Sequence, residues 1–196
     1  MKKIFIVLSI ILISFTSNLF AEENQIIKVI SEGDENAKIT IIAYESLTCG
    51  HCADFHKNVY PNLKKNFIEK GLVKIEFRNF PLRLAALNAS MIAQCKNDGK
   101  SDMLHILFSN QKKWHKGNTP EKTNENLKKF LIDENVNLNF EKCLNNKKIE
   151  DHVLNDRIEG VKKFKVNATP TIIINDKKFD KALNYKNLKK YLEKLI

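Results

Sequence analysis

The spacing of hydrophobic residues predicts strands near both ends of the chain and helices between them. Residues 38–44 are β-branched and apolar, as in a buried strand. Across residues 53–69 the apolar positions recur every four residues, which predicts a helix that Pro61 should kink. Alternation over residues 73–77 predicts a second strand with one face directed inward.

The middle of the chain has helical spacing and no strand pattern. Gly and Asn clusters divide it into short segments, and Thr119 followed by Pro120 predicts a helix cap and a first helical turn. The predicted helices cover residues 84–97, 101–114, 121–134, 139–146 and a segment starting near 147.

Strand character returns near the carboxyl end. Residues 171–174 predict a strand, Asn175 and Asp176 a hairpin turn, and residues 178–179 a short partner strand. An amphipathic helix over 184–195 follows. Strands on both sides of an all-helical stretch indicate one sheet interrupted by an insertion, because the strands need each other to bury both faces.

The first 21 residues have the pattern of a secretory signal. A basic start is followed by an apolar run at residues 4–15, and Ala21 precedes an acidic pair. The run is shorter than the roughly 20 residues that span a bilayer. We therefore predict cleavage after Ala21 and an exported protein, periplasmic in a Gram-negative bacterium. An uncleaved anchor is the alternative.

The net charge of +10 raises the question of nucleic-acid binding. Only three of the 33 basic residues are Arg, the residue whose forked guanidinium suits phosphates and base edges. The lysines are also scattered along the chain. We therefore expect no nucleic-acid partner.

The strongest chemical signal is the sequence Cys49-Gly50-His51-Cys52, which follows a predicted strand and opens a predicted helix. A thiol at a helix N-terminus is favoured as an anion by free N–H groups and the helix dipole. His51 can add positive charge or a hydrogen bond. Cys52, one turn later, can attack a mixed disulfide at Cys49. The motif thus supplies a nucleophile and a resolving thiol.

Two other interpretations of these cysteines remain open. They could form an inert structural disulfide, or half of a zinc site with His56 as a third ligand. Zinc sites usually bring a second closely spaced pair, whereas Cys95 and Cys143 are each isolated. We expect no metal and no organic cofactor. The remaining histidines are expected at the surface or in packing positions: His105, His115 and His152.

A second signal is Thr169-Pro170 at the start of a strand. Because proline cannot donate to a strand ladder, it indicates an edge, a turn or a cis bond. Four features together carry a resemblance to a known family: the cysteine motif within residues 46–56, residues 77–82, the helical insertion and Thr169-Pro170. With them the chain resembles DsbA-like thiol:disulfide oxidoreductases of the thioredoxin-fold superfamily.

The resemblance covers the whole predicted mature chain and implies an α/β, thioredoxin-like fold. A central mixed sheet would be flanked by helices and carry a large all-helical insertion. The implied parts are a thioredoxin-like domain (22–83 plus 157–196) and an insertion (84–156). The resemblance also implies that Pro170 is cis beside the Cys49 sulfur, and that Thr169 and Pro170 offer backbone groups to an extended substrate.

The sequence departs from the family pattern at two positions. Many relatives have proline where this chain has Gly50. Relatives also tend to have an acidic residue where this chain has Ala43, as a buried proton acceptor for the resolving thiol. Glu45 lies two residues after Ala43 and therefore faces the same side of the strand. We hypothesise that Glu45 is the proton acceptor in this protein. The alternative is a solvated glutamate at the strand end.

Cys95 and Cys143 lie within the predicted insertion. Some DsbA-like relatives carry a second disulfide there, so the resemblance implies a structural Cys95–Cys143 bridge. Two free buried thiols are the alternative.

The predicted function is donation of a disulfide to reduced or unfolded exported proteins. A membrane re-oxidase is a partner that the family implies. A disulfide reductase or isomerase would use the same site, although isomerases of this kind usually have an N-terminal dimerisation domain. A peptide-binding or chaperone module with incidental cysteines is the alternative from another class.

Overall fold

The computed structural model describes residues 26–196, so the predicted signal segment lies outside the described residues. The strands are β1 (Ile30–Glu32), β2 (Ile39–Glu45), β3 (Val73–Asn79), β4 (Thr171–Ile174) and β5 (Lys177–Lys178). The α-helices are α1 (Gly50–Asn58), α2 (Tyr60–Leu63), α3 (Leu84–Gln94), α4 (Asp102–Ser109), α5 (Gln111–Trp114), α6 (Pro120–Asp133), α7 (Phe140–Leu144), α8 (Lys147–Phe164) and α9 (Tyr185–Leu192). Within residues 26–196, no helix has the length and apolar character needed to cross a membrane.

The five strands form one mixed sheet in the order β1-β3-β2-β4-β5. Strands β2 and β3 are parallel, and the other neighbouring pairs are antiparallel. This confirms the expected central mixed sheet. The sequence analysis missed β1, because three residues are too few to display an alternating pattern.

Strand β2 is central and buried on both faces. Ile39, Ile41 and Ala43 face one hydrophobic cluster, which includes side chains of α1, α4 and α9. Tyr44 faces a second cluster with Phe164 of α8. The sheet is therefore covered by helices on both sides, as an α/β fold requires.

The helix predicted over residues 53–69 is interrupted two residues before Pro61. Helix α1 begins at Gly50, within the cysteine motif, and Val59 separates it from α2. Pro61 lies in the first turn of α2, where its missing N–H is not needed. A π-helical turn, Lys64–Ile68, completes the segment.

The segment between β3 and β4 is helical, as predicted. The expected helix over 101–114 is divided at Asn110 into α4 and α5. The cap is confirmed, since the Thr119 side chain accepts a hydrogen bond from the Lys122 N–H. Cys95 and Cys143 form a disulfide that ties the end of α3 to α7.

Helix α8 continues through the predicted boundary at residue 156 and links the helical segment to the sheet. The Asp156 carboxylate accepts hydrogen bonds from the Asn79 backbone N–H at 3.0 Å and from Arg78 at 3.1 Å. Both donors are on β3. The division at 84 and 156 stays a prediction.

Candidate active site

The two cysteines lie where the central strand meets the first helix. Cys49 is the N-cap of α1, with extended backbone angles, and its N–H donates to the Ser46 carbonyl at 2.9 Å. The buried strand β2 carries the chain to this edge, and α1 leads it away. Cys49 is partly exposed and Cys52 is fully buried, and both are thiols.

The environment of Cys49 favours the thiolate. A hydrogen bond from the Cys52 thiol is the largest cause, and it lowers the pKa of Cys49 to about 5. Partial burial opposes this shift, while the Thr169 side chain and the backbone N–H groups of His51 and Cys52 reinforce it. The Thr169 Oγ1 is buried and has no hydrogen-bond partner in the structure, so it is available to a thiolate at Cys49. The two backbone groups are free N–H groups of a helix start.

The environment of Cys52 favours the neutral thiol. Burial is the largest cause that raises its pKa, followed by its hydrogen bond to Cys49 and the negative charge of Glu45. The two sulfurs of one motif therefore have opposite protonation preferences. This difference suits thiol–disulfide exchange, in which one sulfur leaves as a stable anion.

Thr169 and Pro170 lie beside Cys49, although 120 residues separate them in the sequence. The Thr169–Pro170 bond is cis, and the Cys49 Sγ donates to the Thr169 carbonyl at 3.3 Å. A groove of about 410 Å³ adjoins this contact. Its lining includes His51, Phe55, Thr169, Pro170, Leu183 and Tyr185.

His51 contributes to the site through its backbone. Its side chain is exposed and lies at the groove, whereas its N–H helps to lower the pKa of Cys49. The sequence analysis placed His51 beside the thiolate but assigned the effect to its side chain.

Glu45 is not a solvated strand-end residue. It is 4% exposed, and its Oε2 lies 2.8 Å from the His56 Nε2. Its Oε1 is buried and has no hydrogen-bond partner in the structure. Ala43, the position that is acidic in relatives, is buried on the same face of β2. A carboxylate with a free oxygen thus lies close enough to Cys52 to influence its pKa.

Sequence reasoning missed the polar residues that continue from Glu45. The His56 Nδ1 lies 3.1 Å from the His105 Nδ1, and the His105 Nε2 lies 2.7 Å from the Glu32 Oε1. Glu32 belongs to the unpredicted strand β1. Without that strand, the only sequence signal was the placement of His56 one turn beyond Cys52.

Gln111 is a second missed residue. It is buried in α5, and its Nε2 donates to the Leu47 carbonyl at 2.8 Å and to the Cys49 carbonyl at 3.0 Å. Since these carbonyls flank the start of α1, Gln111 holds the cysteine loop against the helical segment.

The zinc interpretation finds no support in residues 26–196. No group of three or more His, Cys, Asp or Glu side chains there could hold a metal ion. The disulfide also engages Cys95 and Cys143, the remaining cysteines. His56, the suggested third ligand, is hydrogen-bonded to Glu45.

Comparison with known proteins agrees with this geometry. A thioredoxin family model matches residues 27–194. Disulfide bond formation protein D of Bacillus subtilis is 28% identical over 183 residues, covering 83% of this chain and 74% of that protein. A Rickettsia bellii protein, provisionally named a protein-disulfide oxidoreductase, is 29% identical over 147 residues. That match covers 73% of this chain but only 55% of the relative.

Solved structures show the same similarity. Wolbachia pipientis alpha-DsbA1 superposes with a TM-score of 0.75 and 29% identity, covering 87% of this chain and 92% of that structure. Oxidised BdbD from Bacillus subtilis gives a TM-score of 0.68 and 25% identity, covering 85% and 92%. The predicted thioredoxin-like fold is thereby confirmed. The chain belongs to the thioredoxin family, and its structure is similar to those of DsbA proteins.

Proposed function

We propose that this protein is an exported thiol:disulfide oxidoreductase that donates the Cys49–Cys52 disulfide to reduced secreted proteins. The observation that carries the proposal is the opposite shift in the pKa values of the two cysteine thiols. The pKa of Cys49 is about 5, while burial keeps Cys52 a thiol. Electrons pass between sulfur atoms, so the reaction needs no organic cofactor.

The direction of the reaction follows from thiolate stability. A substrate thiolate attacks Cys49, a mixed disulfide forms, and Cys52 is released and takes up a proton. A second substrate thiolate then attacks the substrate sulfur and releases Cys49 as a thiolate. Because that thiolate is stabilised, the reduced form is favoured and the disulfide is oxidising.

Substrate would bind beside the sulfur as an extended segment. The Thr169 carbonyl lies next to Cys49, and the adjoining groove has an apolar floor that includes Phe55, Pro170 and Leu183. An extended peptide could add to the exposed backbone while its side chains enter the groove. This arrangement suits unfolded proteins, which present such segments. The name of the B. subtilis relative, disulfide bond formation protein D, agrees with a role in disulfide donation.

Two further parts of the proposal come from the sequence and the family. Export rests on the signal-like residues 1–21. Regeneration of the disulfide is assigned to a membrane re-oxidase, as the family implies. We also propose that Glu45 exchanges a proton with Cys52, because it is buried with a free oxygen whose charge acts on that thiol.

The test is the equilibrium reduction potential of the Cys49–Cys52 pair in glutathione buffers. We expect a value well above roughly −180 mV, in the range of disulfide donors. A value near roughly −270 mV would mean that the protein is a reductase. We expect Cys95 and Cys143 to remain paired in every sample, and mass spectrometry of the alkylated protein checks this.

A Cys49→Ser, Cys52→Ser variant separates exchange from peptide binding. We expect it to lose all oxidation of a reduced, unfolded model substrate. If this variant still prevented aggregation of the substrate as well as the parent protein, and the parent did not exchange disulfides, a binding module would be the better description.

A further inference from the structure

Four side chains, two of them buried and two partly exposed, form a continuous hydrogen-bonded path from the region of Cys52 toward solvent. We call this path the buried polar chain, and its members are Glu45, His56, His105 and Glu32. The successive contacts measure 2.8, 3.1 and 2.7 Å. They join residues of β2, α1, α4 and β1, so the path exists only in the folded protein.

The two ends of the buried polar chain lie in different environments. At the inner end, Glu45 is 4% exposed and keeps one oxygen without a partner. Toward the outer end, the His105 side chain is 23% exposed and the Glu32 side chain 13%. Lys64, whose side chain is 41% exposed, lies 2.9 Å from Glu32. The buried polar chain therefore connects the protein interior to the protein surface.

The middle of the buried polar chain is enclosed by aromatic rings. His56 stacks on Phe108 at 4.1 Å between ring centroids, and His105 stacks on Tyr60 at 4.5 Å. Phe77 lies 5.6 Å from the His56 ring and 5.5 Å from the His105 ring. These rings hold the imidazoles in place and offer no competing acceptor along their faces.

Glu32 sets the direction of the outer hydrogen bond. Burial raises its pKa, but hydrogen bonds from His105, Ser101, Tyr60 and Lys64 outweigh burial and hold the pKa well below its usual range. Glu32 is therefore a carboxylate that only accepts. The His105 Nε2 must then carry the proton that it shares with Glu32.

A proton count follows from the geometry. Three hydrogen bonds need three protons, and two neutral imidazoles supply only two. The complete chain therefore holds one further proton, which lies on Glu45, His56 or His105 while Glu32 remains a carboxylate. Disulfide exchange as proposed above adds one proton to Cys52 on reduction and removes one on oxidation. The buried polar chain therefore holds one additional proton, and each disulfide exchange adds one proton to Cys52 or removes one from it.

We infer that the buried polar chain carries protons between Cys52 and solvent during disulfide exchange. This inference rests on the proposed function and extends it beyond Glu45. On reduction, the Cys52 thiolate takes the proton from Glu45, and the chain is refilled from the His105 and Glu32 end. On oxidation, Cys52 gives its proton to Glu45, and a proton leaves at the surface. His56, His105 and Glu32 act through Glu45 and do not touch the sulfurs.

The test separates two steps in the oxidation of the reduced full chain by oxidised glutathione. In the first step, the Cys49 thiolate forms a mixed disulfide with glutathione, and no proton transfer at Cys52 is needed. In the second step, Cys52 loses its proton and displaces glutathione. Rapid acid quenching and mass spectrometry measure both rates, because the mixed disulfide has a distinct mass.

The central variant is His105→Phe, which removes both ring nitrogens and keeps an aromatic ring in the enclosure. We expect an unchanged first step and a second step slower by at least about tenfold, as for the loss of a general acid–base path. The matched control is His115→Phe, because His115 is an exposed histidine beside Trp114 and outside the chain. Both of its steps should equal those of the parent protein.

Chemical rescue distinguishes proton transfer from a structural role. In His105→Ala, added imidazole should restore the second step in proportion to its concentration, while leaving the first step unchanged. If the His105 variants do not fold, Glu32→Gln serves instead. This variant keeps an oxygen that accepts from the His105 Nε2 but removes the negative charge that favours the further proton in the buried polar chain, and it should slow the second step by a similar factor.

Two results would overturn the proton relay, and a third would overturn the proposed function. A second step within twofold of the parent rate, in either His105→Phe or Glu32→Gln, overturns the relay. A slow second step that imidazole does not restore in His105→Ala also overturns it, because the histidine would then be structural. Failure of the first step in the unmodified chain would instead overturn the proposed function, and the relay with it.

Discussion

At the scale of single residues, the site depends on a few hydrogen bonds to one sulfur. The pKa of Cys49 is lowered by the Cys52 thiol, the Thr169 side chain and the first N–H groups of α1. Each donor stabilises the thiolate more than the thiol, so removal of any one of them should raise the pKa of Cys49.

The variant Thr169→Val tests this reasoning with almost no change in side-chain shape. We expect it to raise the pKa of Cys49 above its value of about 5, because the variant removes a hydroxyl that lowers this pKa. The thiolate absorbance of the reduced protein, followed as a function of pH, measures this value. Thr171→Val is the control, since the Thr171 hydroxyl donates to the Ala168 carbonyl. An equal shift in both variants would contradict the role of Thr169.

At the scale of elements, helix α8 approaches the sheet so closely that one position must lack a side chain. A Cβ atom at Gly160 would lie 2.7 Å from the Tyr44 ring. That ring cannot move aside, because it is 1% exposed and lies between Phe80 and Phe164, with centroids at 6.4 and 6.1 Å. Gly160 therefore sets the distance between α8 and β2.

Gly160→Ala sets two effects against each other. Alanine favours the helix by about 1 kcal/mol, whereas overpacking a rigid core costs about 1–3 kcal/mol. We expect a net loss of about 1 kcal/mol in the free energy of unfolding, measured by urea denaturation. The control is Gly50→Ala, because nothing lies within 4 Å of a Cβ at Gly50. A stabilised Gly160→Ala variant would show that Tyr44 can be displaced.

At the scale of the whole molecule, the redox state of the Cys49–Cys52 pair changes stability in a pH-dependent way. In the reduced protein the pKa of Cys49 is about 5, against 9.0 in the absence of the fold. A lowered pKa stabilises the folded state fully above the unfolded value, and the effect is lost as the pH falls through the folded value. The oxidised protein has no such contribution.

We therefore expect the stability of the reduced protein, relative to the oxidised protein, to increase as the pH rises from about 5 to about 9. The buried Cys52 does not disturb this range, because its raised pKa keeps it a thiol. Denaturation of both redox forms at several pH values measures the difference. Reduced Cys49→Ser should show no such increase, and a flat difference in the parent would contradict the low pKa.

The second disulfide acts on the same scale but through the unfolded chain. Cys95 and Cys143 are 48 residues apart, and closing a loop of that length stabilises a fold by about 4 kcal/mol in the chain-entropy model. The bridge joins α3 to α7 and so constrains the helical segment. It leaves the Cys49–Cys52 pair as the free thiols of the described residues.

Features that depend on neighbouring residues could be predicted from the amino-acid sequence alone. Hydrophobic spacing was sufficient for β2, β3, β4 and most helices, and a strand followed by Cys49-Gly50-His51-Cys52 was sufficient to place a thiol at a helix start. These predictions succeed because periodicity and capping are local properties of the chain. The resemblance that these motifs carried was also sufficient to identify the family.

The contacts on which proton transfer and sulfur chemistry depend join residues that are far apart in the sequence. Folding brings Thr169 to Cys49, buries Glu45 beside His56, and completes the buried polar chain with His105 and Glu32. Burial and partners set the charge of a carboxylate or an imidazole, and here the partners come from separate strands and helices. Distances across the fold are not encoded in local spacing, so the burial of Glu45 and the roles of His105 and Glu32 could be assigned only once the sheet and its helices had been placed around them.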